Sequence, residues 1–242
     1  MFWIGTSGYN YLEWRGSFYP PKLAAARMLA FYAARFPTVE INATFYRMPT
    51  SPMLARWAAA TPENFRFTLK APRRITHDAK LQGCRPLVES LARVASGLRA
   101  KLGVLLFQMP PTFRLALPVL EEFLTWLPAG LRVAVEFRHA SWFVPEVYEC
   151  LRSHNSALCV AESQKLETPL VTTADFGYFR LRDEGYAPED LRRLAARLRD
   201  VQQRCGEIFV YFKHEEAGKG PEFARQLMRE LGLEPESPIP DS

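Results

Sequence analysis

The sequence is short of the residues that build metal centres and redox pairs. It has 4 histidines and 4 cysteines in 242 residues, and no HxH, HExxH or CxxC spacing among them. Transition-metal sites need several such ligands at set intervals, so no metal is expected. A Mg²⁺ held by Glu40, Glu136 and substrate phosphates is the arrangement left open. Unpaired in spacing, Cys84, Cys150, Cys159 and Cys205 read as reduced thiols of a cytosolic protein. Long apolar runs are also missing: none nears the ~20 residues that cross a bilayer. Met1-Phe2-Trp3-Ile4 meets Gly5 too soon for a secretory leader, and the expectation is a cytoplasmic chain without membrane contact. Gly5-Thr6-Ser7-Gly8 is neither GxGxxG nor a P-loop. The absence of a serine elbow or an activated cysteine argues against covalent acyl chemistry.

What is present is ample apolar material, 48% hydrophobic and 13% aromatic residues, enough for a substantial core. Lys plus Arg outnumber Asp plus Glu by 31 to 26 and the pI is near 9.1. That balance favours an anionic partner, either a small molecule or nucleic acid, and fits a mildly basic enzyme better than a dedicated nucleic-acid binder.

Strand and helix signals alternate along the chain. Strands are predicted over 2–6, 38–42, 65–70, 102–108, 132–137, 157–161, 177–181 and 208–212, from period-two alternation or continuous apolar runs. Helices are predicted over 24–36, 53–60, 85–98, 117–126, 145–152, 188–204 and 221–231, with Pro37 closing the first and Gly232 just past the last. The connection 162–175 carries no strong helix signal. Eight strands with crossover spacings predict an α/β fold: a single TIM-type (β/α)8 barrel over 1–233, with a frayed proline-bearing tail at 234–242. An open doubly wound sheet is weakened by the missing glycine-rich turn.

In a barrel the working face lies at the carboxyl ends of the strands. If Val39, Ile41, Phe67, Leu69, Val133, Val135, Phe179, Leu181, Val210 and Phe212 face the helices, their alternates point inward. Those alternates are Glu40, Asn42, Lys70, Glu136, Arg138, Arg180, Arg182 and Lys213, with Gln108 beside them. Burying so many charges at one end is costly without a ligand that uses them; the bland alternative is a plug of ion pairs. Net positive charge points to phosphate or carboxylate recognition. Glu40 and Glu136 are the candidate acid and base, and His77, in a loop after the third strand, is the candidate proton donor, with His139 second. His154 reads as a helix-end residue and His214 as the start of the last loop. A Lys70 Schiff base stays conceivable. Tyr9, Tyr11, Trp14, Tyr19, Phe45, Tyr46, Trp142 and Tyr186 line the rim, either to stack on a ligand or to pack loops; Tyr46 and Trp142 are taken as ligand contacts.

Several segments together resemble a known family. They are Ile4-Gly5-Thr6-Ser7-Gly8-Tyr9, Val39-Glu40-Ile41-Asn42, Phe67-Thr68-Leu69-Lys70 with Thr76-His77, Leu106-Phe107-Gln108-Met109-Pro110-Pro111 and Glu136-Phe137-Arg138-His139-Ala140-Ser141-Trp142. The chain is similar to the domain of unknown function 72, or YecE-like, family, which implies a TIM-type barrel and no established reaction. It departs from that pattern at Arg180-Leu181-Arg182-Asp183, where many members have Arg-Leu-His-Gly, and at Lys213-His214-Glu215-Glu216 in place of an Asn-rich stretch. The leading expectation is a hydrolase or lyase acting on a phosphate-bearing ligand, a nucleotide or damaged nucleic acid included. Lys70 and Arg138 would clamp the anion, with Arg180 and Arg182 as further ligand-binding residues. A glycoside-type hydrolase using the two glutamates and a non-catalytic binder of an anionic metabolite are the alternatives.

Overall fold

The computed structural model describes residues 1–162, 166–182, 185–213 and 218–233. Eight parallel strands close on themselves in sequence order: β1 (Phe2–Ser7), β2 (Thr38–Ile41), β3 (Arg66–Lys70), β4 (Leu102–Gln108), β5 (Val133–Glu136), β6 (Ala157–Ala161), β7 (Phe176–Leu181) and β8 (Glu207–Phe212). The expected TIM-type barrel is the observed one, and strand bounds agree to within a residue or so at each end.

Helices α1 (Met28–Ala33), α2 (Ala43–Tyr46), α3 (Ser51–Ala59), α4 (Arg85–Ala95), α5 (Leu117–Thr125), α6 (Pro145–Ser153), α7 (Pro188–Gln202) and α8 (Lys219–Glu230) lie between or after the strands. Two are markedly shorter than their periodicity predicts. The first begins with a 3₁₀ turn over Ala25–Arg27, and its end is set ahead of Pro37, whose ring disfavours helical geometry in the residue before it. The third long one stops at Ala95 because a tight 3₁₀ segment follows, in which Arg99 takes φ 52° and ψ −126°. Among the described residues no helix joins β6 to β7. The tail at 234–242 and His214 lie outside the described residues.

Side-chain parity is as the alternation predicts. Val39, Ile41, Phe67, Leu69, Val133, Val135, Phe179, Leu181, Val210 and Phe212 pack in the layer between strands and helices. Inside the barrel Trp3, Val104, Leu106, Ala134, Cys159, Phe176, Tyr178, Phe209 and Tyr211 form a separate buried core. At about 1.5–3 kcal/mol for each large apolar side chain removed from water, this filling makes the barrel floor a rigid base for the polar residues above it. The Tyr211 hydroxyl hydrogen-bonds with both the Thr38 and Thr68 hydroxyls, at 2.8 and 2.7 Å, tying β8 to β2 and β3 across the interior.

The long aromatic loop after β1 folds onto the barrel. Trp14 is fully buried, in ring contact with Tyr11, Phe18 and Tyr19. Gly8 makes this turn available: it sits at φ +94°, its N–H donates to the Glu40 carbonyl at 2.8 Å, and a Cβ there would lie 2.4 Å from the Tyr11 hydroxyl. No helix among the described residues is long and apolar enough to cross a membrane, and all four cysteines are free and buried.

Candidate active site at the carboxyl face

Register brings the polar residues to one level. Ser7 pairs with Glu40, and Gln108 with Glu136, at adjacent strand ends. Arg180 reaches across from β7 and joins the two carboxylates. Its Nε and Nη2 meet Glu40 at 2.8 and 2.7 Å in a bidentate fork, and its Nη1 donates to Glu136 Oε2 at 2.6 Å. Glu40 also accepts from the Ser7 and Tyr178 hydroxyls, each at 2.5 Å. Glu136 accepts from Gln108 Nε2 at 2.7 Å and from Arg138 Nε at 2.9 Å. Asn42 Nδ2 donates to Ser7 Oγ at 2.9 Å and so supports Glu40 at one remove.

This cluster is dry: Glu40, Glu136 and Arg180 are 0, 1 and 1% exposed. Burial by itself would raise both carboxyls, but the Arg180 guanidinium, with hydrogen bonds from Ser7 and Tyr178 to Glu40 and, at Glu136, the charges of Arg138 and Arg182 and a hydrogen bond from Gln108, holds both below the usual carboxylate range. They are therefore ionised acceptors with their oxygens largely occupied.

Two cations remain above the cluster. Lys70 is 9% exposed at the end of β3, and its side-chain amine has no hydrogen bond or ion pair among the described residues; its Nζ lies 4.1 Å from the centre of the Phe45 ring. The geometry is local in origin. The Thr44 hydroxyl donates to the Lys70 carbonyl at 2.7 Å, which pins α2 to the end of β3 and sets Phe45 over the amine. Burial and then the neighbouring Arg180 push the Lys70 ammonium down to about 7, against the opposing pull of Glu40 and Glu136. Arg182, half-buried past the end of β7, has an Nε shielded from water with no partner among the described residues. Burial, followed by the adjacent Arg180, lowers its proton affinity as well.

His77 stands on a π-type turn, Arg74–Asp78, of the kind that recurs at functional sites. Its ring meets the edge of Phe45 with centroids 5.0 Å apart, and its Nδ1 is 2.9 Å from the Thr76 hydroxyl. Partial burial and the charges of Lys70, Arg138 and Arg73 lower its pKa, so near neutrality the ring is an uncharged imidazole.

Glu40, Asn42, Lys70, His77, Gln108, Glu136, Arg138, Arg180 and Arg182 thus share one site. Trp142 does not belong to it, and its assignment as a ligand contact is corrected. It is fully buried, stacked on Phe137 at 4.4 Å, and its indole N–H donates to the Phe113 carbonyl at 2.8 Å, so no face is left for a ligand. The cause is that a 3₁₀ turn, Ala140–Trp142, folds the ring back into the layer outside the strands. Tyr46 is 83% exposed beside Phe45, open to a ligand but unsupported by the cluster. His139 accepts from the Ser141 backbone N–H at 3.1 Å and caps that same turn. His154 follows α6 with its ring 3.0 Å from the Cys150 carbonyl, the helix-end position expected.

Sequence reasoning missed Ser7, Tyr178 and the platform role of Phe45. Tyr178 was within reach, since the parity that turns Arg180 inward turns it inward too. Among the described residues no group of three or more His, Cys, Asp or Glu could hold a metal.

A family model described as "Protein of unknown function DUF72" matches residues 3–242. The UPF0759 protein YunF of Bacillus subtilis (strain 168) is 27% identical over 276 residues, covering 97% of this chain and 96% of that one. The UPF0759 protein YecE of Escherichia coli (strain K12) is 38% identical over 113 residues, 46% of this chain and 42% of that protein. Among solved structures, a DUF72 family protein from Thermotoga maritima MSB8 superposes with TM-score 0.84 at 30% identity, covering 96% of this chain and 99% of that one. Another from Enterococcus faecalis V583 gives TM-score 0.85 at 21% identity over 100% and 99% of the two chains.

Proposed function

The chain belongs to the DUF72 family of proteins of unknown function, and from its site we propose an enzyme that binds a phosphate-bearing ligand at the carboxyl face and transforms it by hydrolysis or lyase chemistry. The observation that carries this reading is that, at the same carboxyl face, the buried Arg182 Nε and the Lys70 amine both have no hydrogen-bond partner among the described residues. An orphaned buried donor costs about 1–3 kcal/mol, which an anion supplied by a ligand would offset. Arg182 and the outward nitrogens of Arg138 form the clamp. Arg180 is committed to Glu40 and Glu136, so these three position the clamp and set its charge. Lys70 is the group whose proton affinity lies near pH 7, and the uncharged His77 imidazole against the same Phe45 ring can accept and relay a proton.

The glycoside-hydrolase alternative is weaker. Such enzymes need a protonated carboxyl and open space between the two groups, whereas here the Arg180 guanidinium fills that gap and both carboxyls are ionised. A purely structural plug would leave no unpaired cation, which Arg182 and Lys70 count against, and a passive anion binder has no need of an amine whose proton affinity is brought near neutrality, as that of Lys70 is. Calorimetric titration with inorganic phosphate and a nucleoside monophosphate tests the proposal. Arg138→Ala and Arg182→Ala should each weaken binding by roughly tenfold and flatten its salt dependence. If affinity and salt slope are unchanged in both, the clamp is wrong.

A further inference from the structure

An amine in the position of Lys70 has more to offer than charge. A lysine on a barrel strand ordinarily meets a carboxylate, and two lie in the same cluster, yet Arg180 and Arg138 have taken both. The Lys70 side chain is left in a nearly closed space, with its Nζ against the Phe45 ring face and no hydrogen-bond acceptor among the described residues. A cation could be stabilised there only weakly, because a π face offsets only part of the lost hydration. The same surroundings leave a nitrogen lone pair unencumbered. His77 reaches the edge of the same ring, so an imidazole able to exchange protons lies next to the amine.

We infer that Lys70 is a nucleophile that condenses with the carbonyl group of a phosphorylated aldehyde or ketone, the phosphate being held by Arg138 and Arg182. This rests on the anion-binding reading of the site and deepens it by naming the reacting bond. The amine lone pair attacks the carbonyl carbon, the C=O π electrons move to oxygen, and a proton passes from nitrogen to that oxygen to give a carbinolamine. A proton taken from solvent and relayed by His77 then protonates the hydroxyl, which leaves as water while the nitrogen lone pair forms the C=N⁺ iminium. No oxidant or further reactant enters. The iminium withdraws electrons from the neighbouring carbon, which is the requirement of lyase chemistry at a carbon next to a carbonyl. A proton affinity brought near neutrality by burial and by Arg180 keeps a large share of the amine in its reactive form.

The test uses glyceraldehyde 3-phosphate with sodium cyanoborohydride at pH 7, followed by intact-protein and peptide mass spectrometry, alongside calorimetric titration with inorganic phosphate. The expected result is a single reduced adduct on the peptide containing Lys70, formed roughly tenfold faster than with unphosphorylated glyceraldehyde. Lys70→Met and Lys70→Arg should abolish that adduct while inorganic phosphate still binds in a manner sensitive to Arg138→Ala and Arg182→Ala. Phosphate binding without any Lys70 adduct in the wild-type chain overturns the nucleophile and leaves the anion site standing. Loss of both signals overturns the two together. Equal labelling by the phosphorylated and plain aldehydes overturns the substrate class.

Discussion

Replacing Lys70 by Met removes the amine and keeps a side chain of similar length in the same buried slot. The folded chain lowers this ammonium from 10.5 to about 7, which at about 1.4 kcal/mol per tenfold is a ceiling on the order of 5 kcal/mol. Below pH 7 folded and unfolded chains both carry the charge, and the folded one bears the full desolvation penalty. Between pH 7 and 10.5 the unfolded chain keeps a proton that the folded chain has shed. Unfolding then takes up a proton, and wild-type stability rises with pH. Above that window both forms are neutral and the penalty is gone. Lys70→Met should therefore be more stable than wild type by roughly 2–5 kcal/mol at pH 6, and the advantage should shrink steadily toward pH 10. Urea unfolding midpoints for the two proteins at pH 6, 7, 8, 9 and 10 measure the gap directly, since groups that titrate alike in both cancel. A gap that stays constant across this range, or wild type being the more stable at pH 6, would refute the picture of an unpaired buried amine.

Arg180→Met should destabilise the fold by about 3–5 kcal/mol, because Glu40 and Glu136 are left buried without their shared partner; a urea midpoint lowered by the equivalent of less than 1 kcal/mol would contradict that. The two carboxyls are held below 4.5, so they lend stability above that pH and lose it as pH falls. Wild type should then exceed Glu136→Gln in stability at pH 7 and converge toward it under acid, as circular dichroism melts at pH 7, 4 and 3 can record. Trp142→Ala should cost about 3–5 kcal/mol through the cavity and the lost bond to Phe113, yet leave phosphate affinity within about threefold. A tenfold loss of affinity would return Trp142 to the site.

How much of this was legible in the chain depends on the range of the interaction concerned. Period-two alternation around Val39, Phe67 and Val133 set which side chains enter the barrel, because a strand offers only two faces, and that parity alone delivers Glu40, Lys70, Glu136 and Arg180 to one interior. Pro37 and the turn glycines set where elements stop, since those constraints act on the backbone within a residue or two.

Partnership was decided only by closure of the sheet. Nothing near Arg180 in the text indicates that it will bridge residues 140 positions and 44 positions away, and so remove two expected catalytic carboxylates from contact with solvent. That the Lys70 amine and the Arg182 Nε have no partner among the described residues follows from the same closure, because whether a cation is satisfied depends on what its competitors have already bound. Trp142 shows the limit from the other side: its place in a loop at the working face was readable, but the direction of its ring depended on a turn of three residues and on Phe113 and Phe137 being there to receive it. Sequence fixes faces through local periodicity, whereas pairing, burial and the resulting charge state are properties of distances that exist only once the barrel is closed.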